Sequence, residues 1–215
     1  MVDYIRDEEE QAELLKEWWQ KNGTAVLITV VLAVAALIGW RQWQQHHDAE
    51  LSSASSQYQV LMTDLSKLKA GQSADKVAAD AAALIKDYPS STYADYARML
   101  QARLAVEKAD YDAAIAALTP VADKGATDEL QYTAQLRLVR VLIQQQAYDK
   151  AQKRLQMDFP KAFSGMALEL KGDLAKARNQ LDAARNAYAE ALDALQDGAE
   201  KDRVQMKLDD LKRAS

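Results

Sequence analysis

The chain holds no cysteine, 2 histidines, 3 prolines, 7 glycines and 2 phenylalanines among its 215 residues. Without cysteine there is no disulfide, no thiolate nucleophile and no thiolate metal site. The compartment stays open, because an oxidising space permits disulfides without requiring them. The two histidines, His46 and His47, are adjacent. Neighbouring side chains diverge by about 100° on a helix, so this pair does not make a two-ligand face. They read as polar residues of an interfacial zone. The sequence has no Gly-rich phosphate loop and no HExxH pattern, and a Ser–His–Asp site would have to use one of those two histidines. Catalytic, cofactor-binding and metal-binding residues are therefore all expected to be none, and the chain is not read as an enzyme. A basic block is missing too, and the net charge is -5, which gives no reason to propose nucleic acid as a ligand.

What remains is rich in Ala, Leu, Lys, Glu and Gln with few breakers, and these side chains lose little rotamer freedom in a helix. The expected fold class is all-α. Near the N-terminus lies the one long apolar run, Asn22 to Trp40, 19 residues without a charge. At a rise of about 1.5 Å per residue it spans roughly 28 Å, close to the hydrocarbon thickness of a bilayer. Trp18 and Trp19 precede it, and Trp40 and Trp43 close it. Paired aromatic belts at that separation suit two membrane–water interfaces. A cleaved signal peptide needs a short, positive leader and a small-residue cleavage site after the core. Here 21 residues come first, with seven acids against three bases, and the core ends in Gly39-Trp40-Arg41-Gln42-Trp43. The run is read as an uncleaved anchor in the lipid bilayer. Arg6, Lys16 and Lys21 lie before it, whereas Arg41 stands alone after it until Lys67. That excess places the N-terminus in the cytoplasm and residues 41–215 outside, which in a bacterium means the periplasm. In the tail, Leu14, Leu15, Trp18 and Trp19 share one helical face. The face suits contact with lipid headgroups or a cytoplasmic docking peptide.

Beyond the anchor, Leu51, Tyr58, Leu61, Leu65 and Leu68 recur at helical steps, Gly71 ends the helix, and Ser73 caps a second one that stops near Tyr88-Pro89. Then the chain repeats itself. Asp110-Tyr111-Asp112-Ala113-Ala114, Ala147-Tyr148-Asp149-Lys150-Ala151 and Gln180-Leu181-Asp182-Ala183-Ala184 align at offsets of 37 and 33 residues. An alanine precedes each aromatic or leucine by fourteen positions (Ala97, Ala134, Ala167), and an apolar residue precedes it by seven (Leu104, Val141, Leu174). Seven positions after come Leu118, Leu155 and Tyr188. A period near 34 with a small residue in each of two helices is a tetratricopeptide-like pattern. The units run at about residues 95–128, 132–163 and 165–198, with a degenerate unit over 51–89 and a final capping helix carrying Val204, Leu208 and Leu211. The resulting division is 1–21 tail, 22–40 transmembrane helix, 41–70 juxtamembrane helix and 71–215 repeat domain. One hairpin cannot bury its own apolar face, so neighbours must stack. In such a stack the first helices line the concave side. The outward positions there are Met99, Arg103 and Val106, then Leu136, Arg140 and Ile143, then Glu169, Asp173 and Lys176. Arg and Met among apolar residues suit a partner-binding surface. The alternative is that a later helix covers the groove and these residues are core.

The acidic, aromatic N-terminus running into Ala36-Leu37-Ile38-Gly39-Trp40-Arg41-Gln42-Trp43, with the repeats behind it, resembles the ancillary SecYEG translocon subunit family, the YfgM-like proteins of Gram-negative inner membranes. The resemblance covers nearly the full length. It implies association with the SecYEG channel and with the membrane-anchored periplasmic chaperone PpiD, linking emerging secretory proteins to periplasmic chaperones. It also implies a negative-regulatory link to the cytoplasmic stress-response regulator RcsB, within reach of the tail. The family brings no short catalytic motif. A membrane-anchored adaptor is the leading expectation. The alternative is an envelope-assembly tether or scaffold unrelated to the translocon, which crosslinking in membranes would separate from it.

Overall fold

The computed structural model describes residues 3–68, 74–196 and 198–213. Among them are nine helices: α1 (Asp3–Leu68), α2 (Ala74–Asp87), α3 (Thr92–Glu107), α4 (Tyr111–Lys124), α5 (Asp128–Gln144), α6 (Tyr148–Arg154), α7 (Lys161–Ala177), α8 (Leu181–Ala194) and α9 (Ala199–Arg213). The chain divides into two compact units, residues 1–52 and 53–215. The stop expected at Gly71 and the cap expected at Ser73 lie outside the described residues.

In the first unit the apolar run is helical throughout. Among the described residues, α1 is the one helix long and apolar enough to cross a membrane, and only 6% of its most apolar window is buried. Leu32, Leu37 and Ile38 are each more than 60% exposed. A core helix of a water-soluble domain would cover such side chains, because each one buried is worth about 1.5–3 kcal/mol. Here lipid is the solvent that suits them. The polar residues of the run turn inward on the helix. Asn22 Nδ2 donates to the Trp18 carbonyl at 3.1 Å, and Thr29 Oγ1 to the Ala25 carbonyl at 2.9 Å. Both therefore carry a satisfied donor into an environment without water.

The second unit is a stack of helical hairpins. The opening pair is α2 with the end of α1, whose buried face runs through Ala54, Tyr58, Leu61 and Leu65. Leu51, expected on this face, is 38% exposed, since it precedes the repeat unit. Then come α3/α4, α5/α6 and α7/α8, with α9 packing on α8 through Val204, Leu208 and Leu211. The repeat positions found in the sequence are the buried ones. Ala97, Ala134 and Ala167 on the first helices, and Ala114, Ala151 and Ala184 on the second, are almost wholly covered. Leu104, Val141, Leu174, Leu118, Leu155 and Tyr188 are buried as well.

Helices α3, α5 and α7 end the same way. Ala109, Gln146 and Asn179 take positive φ values of 58°, 63° and 61°. The residue after each donates its backbone N–H back across the turn: Asp110 to Ala105, Ala147 to Leu142 and Gln180 to Ala175, at 2.8–2.9 Å. These are left-handed caps that satisfy the last carbonyls of a helix and reverse the chain. Helix starts are capped by side chains where the sequence supplies an acceptor. Ser91, Asp110 and Thr127 accept from Ala94, Ala113 and Leu130.

The α7/α8 hairpin, the third of the three clear repeat units, departs in size. Tyr188 stands where the other units have Leu118 and Leu155, and Gly172 stands where they have Ala102 and Val139. A Cβ at Gly172 would lie 2.4 Å from the Tyr188 ring, so the larger residue is admitted by removing a side chain from the facing helix.

Candidate functional site

The first helices of the stack present their open face in two contrasting ways. In the earlier units the face is a trough with an apolar floor. One cavity of about 590 Å³ is lined by Met99, Ala102, Val106, Leu118 and Val141 with Arg103, Arg137 and Arg140. A second, of about 670 Å³, continues it toward Tyr58, Met62, Tyr96 and Leu100, and the two meet along Met99, Arg103 and Arg137. Tyr58 anchors that end, with its ring 5.3 Å from Tyr93 and 5.7 Å from Tyr96. Burial, followed by the neighbouring Tyr96 and Tyr93, pushes its phenol up, so it stays a neutral hydrogen-bonding group.

The three guanidinium groups differ in company. Arg103 donates to Glu107 one turn on, at 2.9 Å. Arg137 lies with Nη1 3.5 Å from the Met99 sulfur, and partial burial, then the Arg140 charge, push it down from its ordinary value. Neither Arg137 nor Arg140 has a carboxylate partner among the described residues.

In the third unit the same positions are acidic and closed. Glu169 is only 1% exposed. It accepts from Arg203 Nε at 2.9 Å, from Arg203 Nη2 at 2.7 Å and from Lys207 Nζ at 2.7 Å. Lys207 also reaches both oxygens of Asp173 at 2.7 Å, and Asp173 accepts the Tyr188 hydroxyl at 2.7 Å. Burial opposes ionisation of Glu169, but the hydrogen bonds from Arg203 and Lys207 outweigh it and hold the carboxyl at about 2. A buried charge of this kind is tolerated because it is paired and fully hydrogen-bonded. Helix α9 thus stacks as a further first helix and covers the acids of α7.

Of the positions singled out in the sequence, Met99, Arg103, Val106 and Arg140 line one trough. Leu136 is 5% exposed and sits in the core, and Ile143 packs against that core. Glu169 and Asp173 belong to the α9 contact, while Lys176 is exposed. Sequence reasoning missed Tyr58, Met62, Tyr96 and Arg137. Tyr96 lies three residues before Met99, and Arg137 three before Arg140, so the i, i+3 rows of the same helix faces carry them. The pairing of Arg203 and Lys207 with Glu169 and Asp173 had a signal too: cations four apart facing acids four apart.

At the first span, Trp18, Trp19, Trp40 and Trp43 are all half-exposed or more. Trp40 and Trp43 are in ring contact at 5.3 Å, and Trp43 stacks on His47 at 5.5 Å. Among the described residues no group of His, Asp and Glu is placed to hold a metal ion.

Comparison with known proteins adds to this geometry. Residues 16–213 match the model of a tetratricopeptide repeat-like domain family. The chain is 30% identical over 210 residues to a protein of Haemophilus influenzae named ancillary SecYEG translocon subunit, covering 97% of this chain and 99% of the relative. Proteins of the same name from Escherichia coli and Neisseria gonorrhoeae are 28% identical over 212 residues and 29% identical over 207 residues. They cover 98% and 95% of this chain and 99% and 98% of their own lengths. No solved structure matches significantly.

Proposed function

As this chain belongs to the ancillary SecYEG translocon subunit family with its tetratricopeptide repeat-like domain, we propose that it is a non-enzymatic, membrane-anchored adaptor at the SecYEG channel. The observation that carries the reading is the reach of the similarity, which extends over 97% of the chain and so includes the apolar span as well as the repeats. Residues 1–21 form the cytoplasmic tail, 22–40 the inner-membrane span, 41–70 the juxtamembrane helix and 71–215 the periplasmic repeat domain. The orientation rests on Arg6, Lys16 and Lys21 against Arg41. A reporter active only in the cytoplasm, fused after Ser215, is expected to stay silent, and a strong signal would reverse the topology.

Outside the membrane, the repeat domain holds the anchored chaperone PpiD and passes emerging secretory proteins to periplasmic chaperones. Met99, Arg103, Val106 and Arg140 are the partner-binding positions, with Leu136 and Ile143 belonging to the core behind them, and the four tryptophans mark the membrane interfaces. Inside, Leu14 and Leu15, both more than 60% exposed, offer an apolar face by which the tail restrains RcsB signalling. Two attachments act together, because a span confined to the bilayer makes a weak repeat contact effectively intramolecular. The test is co-purification of the tagged full chain from membranes in mild detergent. SecY and PpiD should be recovered, and replacing Asn22–Trp40 with an unrelated apolar helix should reduce their recovery. Recovery of neither from the native chain would sink the assignment. Leu15→Asp should lower RcsB recovery while leaving SecY unchanged; an unaltered RcsB yield would remove the tail from the proposal.

A further inference from the structure

At one matching position the open trough and the closed third unit carry opposite charges, and at another an acid replaces apolar residues. Met99, Leu136 and Glu169 correspond along the repeat, as do Arg103, Arg140 and Asp173. In the third unit the chain itself shows how such a face is covered. Helix α9 brings an apolar stripe of Val204, Leu208 and Leu211 onto Tyr188 and Ala191. Beside that stripe, Arg203 and Lys207, four residues apart, meet Glu169 and Asp173, also four apart. An amphipathic helix whose charges complement the exposed first helix therefore completes the surface.

The earlier units have the converse arrangement, and among the described residues no helix lies on it. Their apolar floor, formed by Met99, Val106, Tyr96 and Met62, is lined as well by Arg103, Arg137 and Arg140 and by Glu107 and Glu129, so cations outnumber acids there by three to two. Among the described residues only Arg103 has a carboxylate, and that pair is solvent-exposed, where such pairs are worth little. An incoming anion would offset the repulsion between Arg137 and Arg140. The cations that α9 turns toward α7 would be repelled here, so a second copy's α9 is not the occupant. The acidic tail of a second copy lies across the bilayer in the topology proposed above.

We propose that this trough receives an acidic amphipathic helix from a partner protein, its apolar stripe on the Met99–Val106 floor and its carboxylates on Arg137 and Arg140. The inference rests on the adaptor reading for the existence of a partner and adds the chemistry by which one is chosen. Helices lying in apolar grooves are a recurring mode of recognition. Charge at the rim selects among them by attraction to one sign and repulsion of the other.

The experiment uses the full chain in lipid nanodiscs and two designed fluorescent peptides of about 15 residues, the length of α9. Both carry the same leucine stripe, flanked by Glu in one and by Lys in the other. Fluorescence anisotropy is expected to give the Glu peptide roughly ten-fold tighter binding, a difference that two charge-assisted pairs can supply. The double substitution Arg137→Glu/Arg140→Glu should reverse the preference, with an unchanged melting curve as the check on folding. Lys150→Glu, on the exposed face of α6, should leave the preference intact. Equal affinity for both peptides, binding of neither, or an unchanged preference in the reversed variant would overturn the proposal. The measurement contains no channel, so its failure leaves the translocon assignment standing, and loss of SecY co-purification leaves the peptide result standing.

Discussion

Replacing Gly172 by alanine sets two known effects against each other. In a helix interior alanine is favoured over glycine by about 1 kcal/mol, so an unconstrained site would gain stability. Gly172 is constrained. The new Cβ would fall 2.4 Å from Cδ1 and Cε1 of Tyr188 and 3.0 Å from Cζ. The ring cannot retreat freely, since it is 0% exposed and its hydroxyl is tied to Asp173 at 2.7 Å. Overpacking of a filled core costs about 1–3 kcal/mol, which exceeds the propensity gain. The expected net loss is up to about 2 kcal/mol, or up to roughly 8 °C in Tm for a unit of this size. Thermal melting of the full chain in detergent, followed by far-ultraviolet circular dichroism, reads it directly.

The informative arm is the background Tyr188→Leu. That change alone destabilises, because it removes buried ring area and the hydroxyl bond. On top of it, however, Gly172→Ala should become stabilising, since the pair then reproduces the Ala102 and Leu118 of the first clear unit. The two substitutions should therefore couple by about 2 kcal/mol rather than add. A rise in Tm on Gly172→Ala in the native chain, or simple additivity of the two changes, would refute the size-exchange account of the third hairpin.

Acid should loosen the α9 contact through Glu169. Its folded value of about 2 lies below the ordinary 4.5, so its stabilisation is complete above 4.5 and is lost as the pH falls toward 2. The amount at stake is about 3 kcal/mol. Urea unfolding of the native chain and Glu169→Gln should differ most at neutral pH and converge across that window; parallel pH profiles would show that other carboxylates dominate. At the left-handed caps, Ala109→Gly should raise stability by roughly 0.5–1 kcal/mol, whereas Asn179→Gly should change it little, because Asn already tolerates that conformation. Similar gains at both positions, or none at Ala109, measured by the same unfolding assay, would show that the positive φ values cost nothing here.

The repeat architecture was legible in the sequence because its signal is local and periodic. Alanines separated by 17 residues within each unit, at Ala97/Ala114, Ala134/Ala151 and Ala167/Ala184, report that two helices must approach closely whatever surrounds them. The span was legible for the same kind of reason, since 19 uncharged residues bounded by tryptophans admit few other environments. The open face was harder. Positions such as Leu136 and Arg140 lie one turn apart on the same face of α5, yet the first is buried and the second exposed. A contact made by the next helix cannot be read from the periodicity of the helix that receives it. The α7–α9 lattice shows the exception: it could have been inferred from complementary charges at matching spacing, although periodicity alone would place Glu169 on an open surface.

The division of labour within each hairpin explains why one backbone carries two different surfaces. The faces that hold a hairpin together are nearly invariant along the chain, and where they vary, as at Gly172 and Tyr188, the variation is compensated within the pair. The faces that look away from the second helices vary freely in charge, from Arg103 and Arg140 to Asp173. Burying Glu169 without cations would cost several kcal/mol, so the helix that covers it must bring partners for its charge. Helix α9 removes that penalty with Arg203 and Lys207 and brings Val204 and Leu208 as its own apolar cover. The end of the stack is therefore specified by charge as well as by shape. Arg137 and Arg140 are exposed, so the same requirement, with the signs exchanged, would fall on them only when the proposed helix covers them.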